Sequence, residues 1–123
     1  MKKRTAELPE RIRRYDVVRI DVEYEGLDGH KKRPVAIMIV GDGPSYVGVK
    51  ITSKAKYEKD DVWLVEPSAA NLTDGVARCA QLVSFDHRDI VGYYGHLDNA
   101  DINLIVGELS KLDESDFIHL RVH

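Results

Sequence analysis

Five histidines and a single cysteine are the residues of this sequence that most directly suggest metal or nucleophilic chemistry. His119 and His123 are four residues apart, a spacing that suits a metal only on a helix, and the surrounding pattern is typical of a strand. Cys79 has no histidine at a spacing typical of a nucleophile pair, so we expect a buried thiol. The sequence therefore predicts neither a metal site nor a cofactor.

Other common catalytic motifs are also missing from the sequence. The stretch "GDGPSYVG" is rich in glycine, but it lacks the Gly-Lys-Ser/Thr ending of a phosphate-binding loop and is more typical of a hairpin turn. Asp60 and Asp61 are adjacent, so on a strand they would point to opposite faces and could not act as a pair. There is no Gly-x-Ser-x-Gly and no zinc-hydrolase motif. Any chemistry must come from residues that are separated in the sequence.

What remains is a set of polar residues at the edges of predicted strands. Each has an ordinary structural explanation when taken alone. Arg33 could solvate the end of a strand, Thr52 could close a ladder, and Arg78 could pair with a surface carboxylate. Ser53 and Gln81 complete the set of candidates.

The composition bounds the class of protein. The chain has 123 residues, of which 43% are hydrophobic and 32% charged, and its net charge is −3. These values fit one globular domain that buries roughly two-thirds of its unfolded surface, and they argue against a general nucleic-acid coat protein. The single cysteine and the lack of a long apolar segment predict a cytoplasmic protein with no membrane span. We expect a basic arm at residues 1–14, followed by one domain at 15–123.

Five segments have the alternation or the short apolar runs of strands. The predicted strands cover residues 15–24, 34–41, 46–53, 62–66 and 76–84. Residues 25–33 contain two glycines and no apolar repeat, so they are predicted to form a loop. Pro34 then begins the second strand, where a proline is tolerated.

One helix is predicted over residues 98–112, behind Asp98 or Asn99 as its cap. Its core-facing residues are predicted to be Ile102, Ile105, Val106, Leu109 and Leu112. Asp86 could begin a short helical turn, and residues 116–123 could be an edge strand or a tail. The sequence therefore predicts a mainly β domain, a small antiparallel barrel or curled sheet with a C-terminal helix.

The order of these segments resembles the MazF/PemK family of toxins from bacterial toxin–antitoxin pairs. The likeness rests on five stretches within residues 15–112: "YDVVRIDVEY", "RPVAIMIV" with its characteristic Arg-Pro step, "VGVKITSK", "ARCAQLVSFDHRDI" and the helix "DINLIVGELSKL". The resemblance implies an SH3-like small barrel of antiparallel strands, in agreement with the strand count obtained from the pattern.

The resemblance also implies an activity. Members are usually homodimeric endoribonucleases that cut single-stranded RNA, often mRNA, without a metal, and a small antitoxin neutralises them. By position, Arg33 matches the catalytic arginine of the family, Thr52 its hydroxyl residue, and Arg78 an arginine present in some members. In this reaction the ribose 2′-hydroxyl attacks the adjacent phosphorus. A fixed guanidinium stabilises the negative charge that builds on the phosphoryl oxygens.

The loop predicted at residues 25–33 would cover the RNA groove, where its lysines would attract the phosphate backbone. The predicted RNA-binding residues are His30, Lys31, Lys32, Ser53, Lys54 and Gln81.

One departure from the family pattern concerns the proton acceptor. Some members carry an aspartate two residues after the position of Arg78, where this sequence has Ala80. His30 is a candidate base by its chemistry, and a solvated loop histidine is the alternative. The sequence leaves two other functions open: a non-catalytic barrel that binds a protein target, as gyrase-poisoning toxins do, or RNA without cleavage, and a generic SH3-like interaction module. The last predicts that Arg33 and Thr52 lie far apart or are buried in structural hydrogen bonds.

Overall fold

The computed structural model describes residues 8–24, 29–53 and 58–123, which form seven strands and one α-helix. The strands are β1 (Asp16–Glu23), β2 (His30–Val40), β3 (Ser45–Thr52), β4 (Asp61–Trp63), β5 (Val76–Asp86), β6 (Ile90–His96) and β7 (Ile118–Leu120). The helix α1 spans Asn99–Leu109, and short 3₁₀ helices lie at Pro67–Ala70, His87–Asp89 and Glu114–Asp116. None of these helices is long and apolar enough to cross a membrane. The predicted class, mainly β with a helix near the C-terminus, is confirmed.

All seven strands belong to one curled sheet. Six of them are hydrogen-bonded in the order β4-β5-β3-β2-β1-β6, and each neighbouring pair is antiparallel. β7 lies beside β5 and runs parallel to it, which departs from the purely antiparallel arrangement that the sequence predicted. Two parallel neighbouring strands need a crossover connection rather than a hairpin. The segment between β5 and β7, which contains β6 and α1, supplies that crossover.

The C-terminal residues bridge two sides of this sheet. β7 pairs with β5, and Val122 then forms an antiparallel bridge with Val22 of β1. The amide of Glu23 donates to the carbonyl of Arg121, and the amide of His123 donates to the carbonyl of Asp21, both at 2.9 Å. The stretch that the sequence left as an edge strand or a tail is therefore an ordered part of the barrel.

Strand alternation produces two cores, one on each face of the sheet. The inner core fills the barrel and includes Val18, Ile20, Val35, Ile37, Val83 and Leu120. The outer core lies under α1 and includes Val17, Ala36, Val49, Ile51, Ile102 and Ile105. Ile12 is also buried in the inner core, so this part of the predicted basic arm packs against the domain.

The start of the second strand was predicted wrongly. β2 begins at His30, so Lys31, Lys32 and Arg33 lie on the strand and not in a loop, and Pro34 is an internal residue of the strand. The pairing of β2 with β1 extends from Ala36 as far as His30, and this ladder keeps the segment extended. The register with β3 ends at Val35, because Pro34 has no amide proton to donate to a ladder.

The helix confirms its predicted cap and corrects part of its predicted face. Asp98 accepts a hydrogen bond from the amide of Ala100, and Ile102 and Ile105 are buried. Val106 is 43% exposed, because a residue next to Ile105 lies about 100° around the helix axis from the buried stripe. The predicted turn at Asp86 is also present, as a 3₁₀ helix with a capping box. The strand β6 that follows it was not predicted.

Candidate active site

The central contact of the candidate site joins Arg33 to Thr52. The guanidinium Nη1 of Arg33 donates to Oγ1 of Thr52 over 3.4 Å, and both residues are half-buried. Thr52 is the last residue of β3 and Arg33 lies within β2, and both are just beyond the last β2–β3 ladder pair, Val35 and Lys50. Pro34 ends that ladder, so the two side chains meet where the two strands no longer exchange backbone hydrogen bonds.

Strand register places two further cations on the same face. Lys50 is two residues from Thr52 and is the register partner of Val35, and Arg78 of β5 is the partner of Lys50. This face is the inner one, because Arg33 pairs with Ile20 of the inner core. We call Arg33, Lys50, Thr52 and Arg78 the rim site. It forms a polar end to the apolar interior of the barrel.

Arg78 is held by two carboxylates. Its Nη1 atom lies 2.5 Å from Oδ2 of Asp61 and 2.9 Å from Oε2 of Glu58. The side chain of Asp61 is 2% exposed, whereas that of Glu58 is 58% exposed. The sequence allowed Arg78 to pair with a surface carboxylate; the structure gives it one buried and one exposed partner. Its guanidinium is therefore fixed in direction on β5.

Asp61 also organises the turn that precedes β4. Its carboxylate accepts from the amide of Glu58, and its amide donates to the carbonyl of the same residue. Burial raises the pKa of Asp61, and the hydrogen bond from Glu58 and the charge of Arg78 oppose that shift. The Glu58 amide and Arg78 therefore both favour the charged form of this buried carboxylate.

A bulge in β5 opens a cavity beside Arg78. The register of β3 passes from Leu82 directly to Arg78, so residues 79–81 have no partner on β3. The cavity has a volume of about 210 Å³, and its lining includes Arg78, Ala80, Gln81, Glu58 and Asp61. Ala80, where some family members carry an acid, thus faces a space that is bordered by carboxylates from another segment. Gln81, predicted to bind RNA, is 8% exposed within this lining.

The remaining predicted RNA-binding residues are distributed over both faces of the sheet. Lys31 shares the inner face with Arg33, whereas His30 and Lys32 lie on the outer face, because alternate residues of a strand point in opposite directions. His30 is bonded to Asp21 there, with Nδ1 2.7 Å from Oδ1. Ser53 is half-buried directly after β3. Lys54 lies outside the described residues.

Cys79 is fully buried, as expected for a structural thiol. Burial raises its pKa to about 12, so almost no thiolate is present at neutral pH. The buried, protonated thiol is therefore a poor nucleophile.

Reasoning from the sequence missed Glu58 and Asp61. The sequence argues only against Asp61 as a catalytic partner of its neighbour Asp60, and it predicts no role for Glu58. Their actual partner is Arg78, on a strand that the sequence does not place beside them. The only local signal for these two carboxylates is the run of charged residues that precedes the short strand predicted at 62–66.

Comparison with protein families gives one match that covers most of the chain. The model of the family described as PemK-like, MazF-like toxin of type II toxin–antitoxin system matches residues 13–112. Comparison with curated protein sequences gives no match.

Several solved structures share the fold at low sequence identity. An endoribonuclease from a mycobacterial species, in complex with its cognate antitoxin, is 18% identical, with 80% of this chain and 90% of that chain covered and a TM-score of 0.63. The toxin MazF-mt6 of Mycobacterium tuberculosis is 14% identical, with coverage of 76% and 93% and a TM-score of 0.58. The MazE–MazF structure from Deinococcus radiodurans is 18% identical, with coverage of 76% and 88% and a TM-score of 0.56.

Proposed function

This chain belongs to the family of PemK-like, MazF-like toxins of type II toxin–antitoxin systems, and from that premise we propose that it is an endoribonuclease of single-stranded RNA. The observation that carries the proposal is the contact between Arg33 and Thr52, the two residues that match the catalytic positions of the family. A cation and a hydroxyl at one open end of a ladder suit the binding of a phosphodiester, because both groups donate hydrogen bonds to anionic oxygens.

The reaction uses a nucleophile that the substrate carries. The ribose 2′-hydroxyl gives its proton to a base as its oxygen bonds to the adjacent phosphorus. The bond from phosphorus to the 5′-oxygen of the next nucleotide breaks, and that oxygen takes up a proton from water. The products are a 2′,3′-cyclic phosphate and a 5′-hydroxyl. Negative charge grows on the phosphoryl oxygens during this step, and Arg33 stabilises that charge more strongly than it stabilises the ground state. Thr52 adds a neutral donor beside it.

Arg78 supplies a second cation of fixed direction. Asp61 is buried and holds the guanidinium from the β4 side, so little rotamer freedom is lost when Arg78 contacts a phosphate. The carboxylates of Asp61 and Glu58 offset the charge of Arg78. The electrostatic stabilisation therefore comes mainly from Arg33, with Lys50 on the same face.

Glu58 is our candidate for the proton acceptor that the sequence left unassigned. It is an exposed carboxylate, it contacts Arg78, and it borders the cavity that Ala80 leaves open. An acceptor must be accessible to a substrate hydroxyl, and Asp61 is too buried for that role. His30 lies on the opposite face of β2 and is bonded to Asp21, so the geometry gives it no support as the base.

The partners follow from the family and its solved relatives. Two of the structures with this fold are toxins bound to antitoxins, and we propose that a small antitoxin neutralises this chain by covering the rim site. We also propose that the active form is a cytoplasmic homodimer, as is usual for the family.

Cleavage assays on matched arginine variants test the proposal. The wild-type protein, Arg33→Ala and Arg88→Ala are each incubated with single-stranded RNA in the presence of a chelator. Arg88 is a suitable control because its side chain is 85% exposed and lies on the 3₁₀ helix at His87–Asp89, away from the rim site. The wild type and Arg88→Ala should yield fragments ending in a cyclic phosphate, and Arg33→Ala should be slower by about 100-fold or more. Equal rates for all three proteins, or no cleavage by the wild type, would overturn the proposal.

A further inference from the structure

Three side chains with metal-binding chemistry meet on the outer face of the sheet. Asp21 of β1 lies opposite His123, because Val22 bridges Val122 in an antiparallel pair. On its other side, Asp21 pairs with Lys32 of β2, so His30 is its diagonal neighbour on the same face. Three adjacent backbone segments thus bring together residues that the sequence separates widely.

The side-chain geometry is compact. Nδ1 of His30 lies 2.7 Å from Oδ1 of Asp21, and the imidazole rings of His30 and His123 stack with their centroids 3.4 Å apart. One potential ligand atom from each of the three residues lies within 4.8 Å of the other two. Both histidines are exposed and Asp21 is half-buried, so the group is open to solvent.

We propose that Asp21, His30 and His123 form a binding site for a divalent transition-metal ion with the preferences of Zn²⁺. Two imidazoles and one carboxylate are ligands that zinc, nickel and copper accept, whereas magnesium prefers an all-oxygen shell. A tetrahedral ion with bonds of about 2.1 Å needs ligand atoms about 3.4 Å apart. To reach this spacing, the stacked rings must turn so that one nitrogen of each faces the ion. Water completes the coordination.

The backbone around the site is already in place. The amide of His123 donates to the carbonyl of Asp21, and the ladder between β1 and β2 extends to the pair Glu23 and His30. A bound ion would therefore not have to order a loop. It would join the C-terminal segment to β1 and β2 through side chains as well as through backbone hydrogen bonds, and it would stabilise the folded state.

This site is independent of the proposed ribonuclease. It lies on the outer face of β1 and β2, whereas Arg33 pairs with Ile20 on the inner face. The ion is proposed as a structural element, and cleavage of RNA requires none.

Zinc titration of the whole chain tests the site. Binding is measured by calorimetry and by thermal unfolding with Zn²⁺ or Mg²⁺ as the probe, for the wild type, His30→Ala, His123→Ala and Asp21→Asn. His119→Ala is the matched control, because His119 is also an exposed histidine bonded to a carboxylate, that of Glu114 at 2.8 Å, and within the described residues it belongs to no group of three metal-ligating side chains.

Zn²⁺ should raise the melting temperature of the wild type and of His119→Ala, and Mg²⁺ should not. At a free concentration 100-fold above Kd, the ion shifts the unfolding equilibrium about 100-fold toward the folded state. Each ligand variant should bind Zn²⁺ roughly tenfold more weakly or worse.

Two results would overturn the proposal: a wild type that gains no stability from Zn²⁺, or ligand variants that bind as tightly as His119→Ala. Circular dichroism first establishes that each variant is folded. Asp21→Asn keeps the size of the side chain and removes its charge. If a histidine variant fails to fold, this variant still shows whether the three side chains bind Zn²⁺. Tetrahedral Co²⁺ absorption in the wild type, lost in Asp21→Asn, provides a readout that a merely structural role of these residues would not produce.

Discussion

Arg33 and Thr52 meet across the point where the β2–β3 ladder ends, with the guanidinium Nη1 3.4 Å from the threonine Oγ1. The bond is longer than the usual 2.7–3.2 Å of a strong hydrogen bond. The guanidinium of Arg33 and the hydroxyl of Thr52 can therefore each turn to donate to a phosphate at small cost.

Thr52→Val should slow RNA cleavage about fivefold, because a neutral hydrogen bond contributes on the order of 1 kcal/mol. Valine keeps the branched shape and the extended backbone, so the free energy of unfolding should change little. Thr52→Ser restores the hydroxyl and should recover most of the rate. Single-turnover cleavage kinetics measure the effect, and a valine variant as fast as the wild type would remove Thr52 from the mechanism.

Lys31→Ala should weaken RNA binding and Lys32→Ala should not, because the two lysines point to opposite faces of β2 and only Lys31 shares the face of Arg33. The loss of one phosphate contact should lower the slope of log K against log salt by about 0.7 for a single strand. Fluorescence anisotropy over a series of salt concentrations measures the slopes. Equal slopes for the two variants would show that strand alternation does not decide which lysine contacts RNA.

Arg78→Ala should reduce the free energy of unfolding by about 3 kcal/mol near neutral pH, because it leaves the carboxylate of Asp61 buried without its cation. Burial already raises the pKa of Asp61 in the folded wild type, and loss of Arg78 raises it further. A raised folded-state pKa means that the native protein binds the proton more tightly than the unfolded chain. The stability of the variant should therefore recover as the pH falls from about 7 toward 5.

Urea unfolding at these two pH values measures this recovery, and the double variant Arg78→Ala, Asp61→Asn is the control. It has no buried charge at this position, so its stability should be higher than that of Arg78→Ala at neutral pH and should depend less on pH. A single variant with the same pH profile as the double variant would refute the assignment to Asp61.

Gly48→Ala should destabilise the fold by about 1–3 kcal/mol, because it adds volume where two strands are in close contact. A Cβ atom at Gly48 would lie 2.5 Å from Cγ1 of Val35 and 2.6 Å from the carbonyl oxygen of Ala36. Gly107→Ala is the opposite case. It lies inside α1, where no described atom beyond its chain neighbours and the backbone of the helix itself lies within 4 Å of the added carbon, and it should stabilise the protein by about 1 kcal/mol. Chemical denaturation compares the two, and a stable Gly48→Ala protein would mean that β2 and β3 can separate freely.

The elements of the fold that depend on the periodicity of nearby side chains were predicted correctly from the sequence. Alternation in β1 and β3, the apolar run of β2 and the capped helix all follow from side chains a few residues apart. The strand β6 was not predicted, because its sequence, Ile90–His96, carries two glycines and no regular alternation, and its pairing with β1 is set by tertiary structure.

Only part of the candidate active site was predictable, because tertiary structure brings its residues together. Arg33 and Thr52 could be paired through the resemblance to a family, and they do lie in contact. Residues brought together by strand order leave no mark in the local sequence. Neither the carboxylates around Arg78 nor the approach of His123 to His30 can be read from spacing.

The bridge between Val22 and Val122 also constrains how the chain folds. The two residues lie one hundred positions apart, so their contact forms only after a very long loop has closed, and topologies rich in such contacts fold slowly. Until then the edge of β1 at Asp21–Glu23 exposes unpaired backbone groups to any other strand. An unpaired strand edge is a template for pairing with another chain, so slow closure of this bridge would leave the edge of β1 open to aggregation.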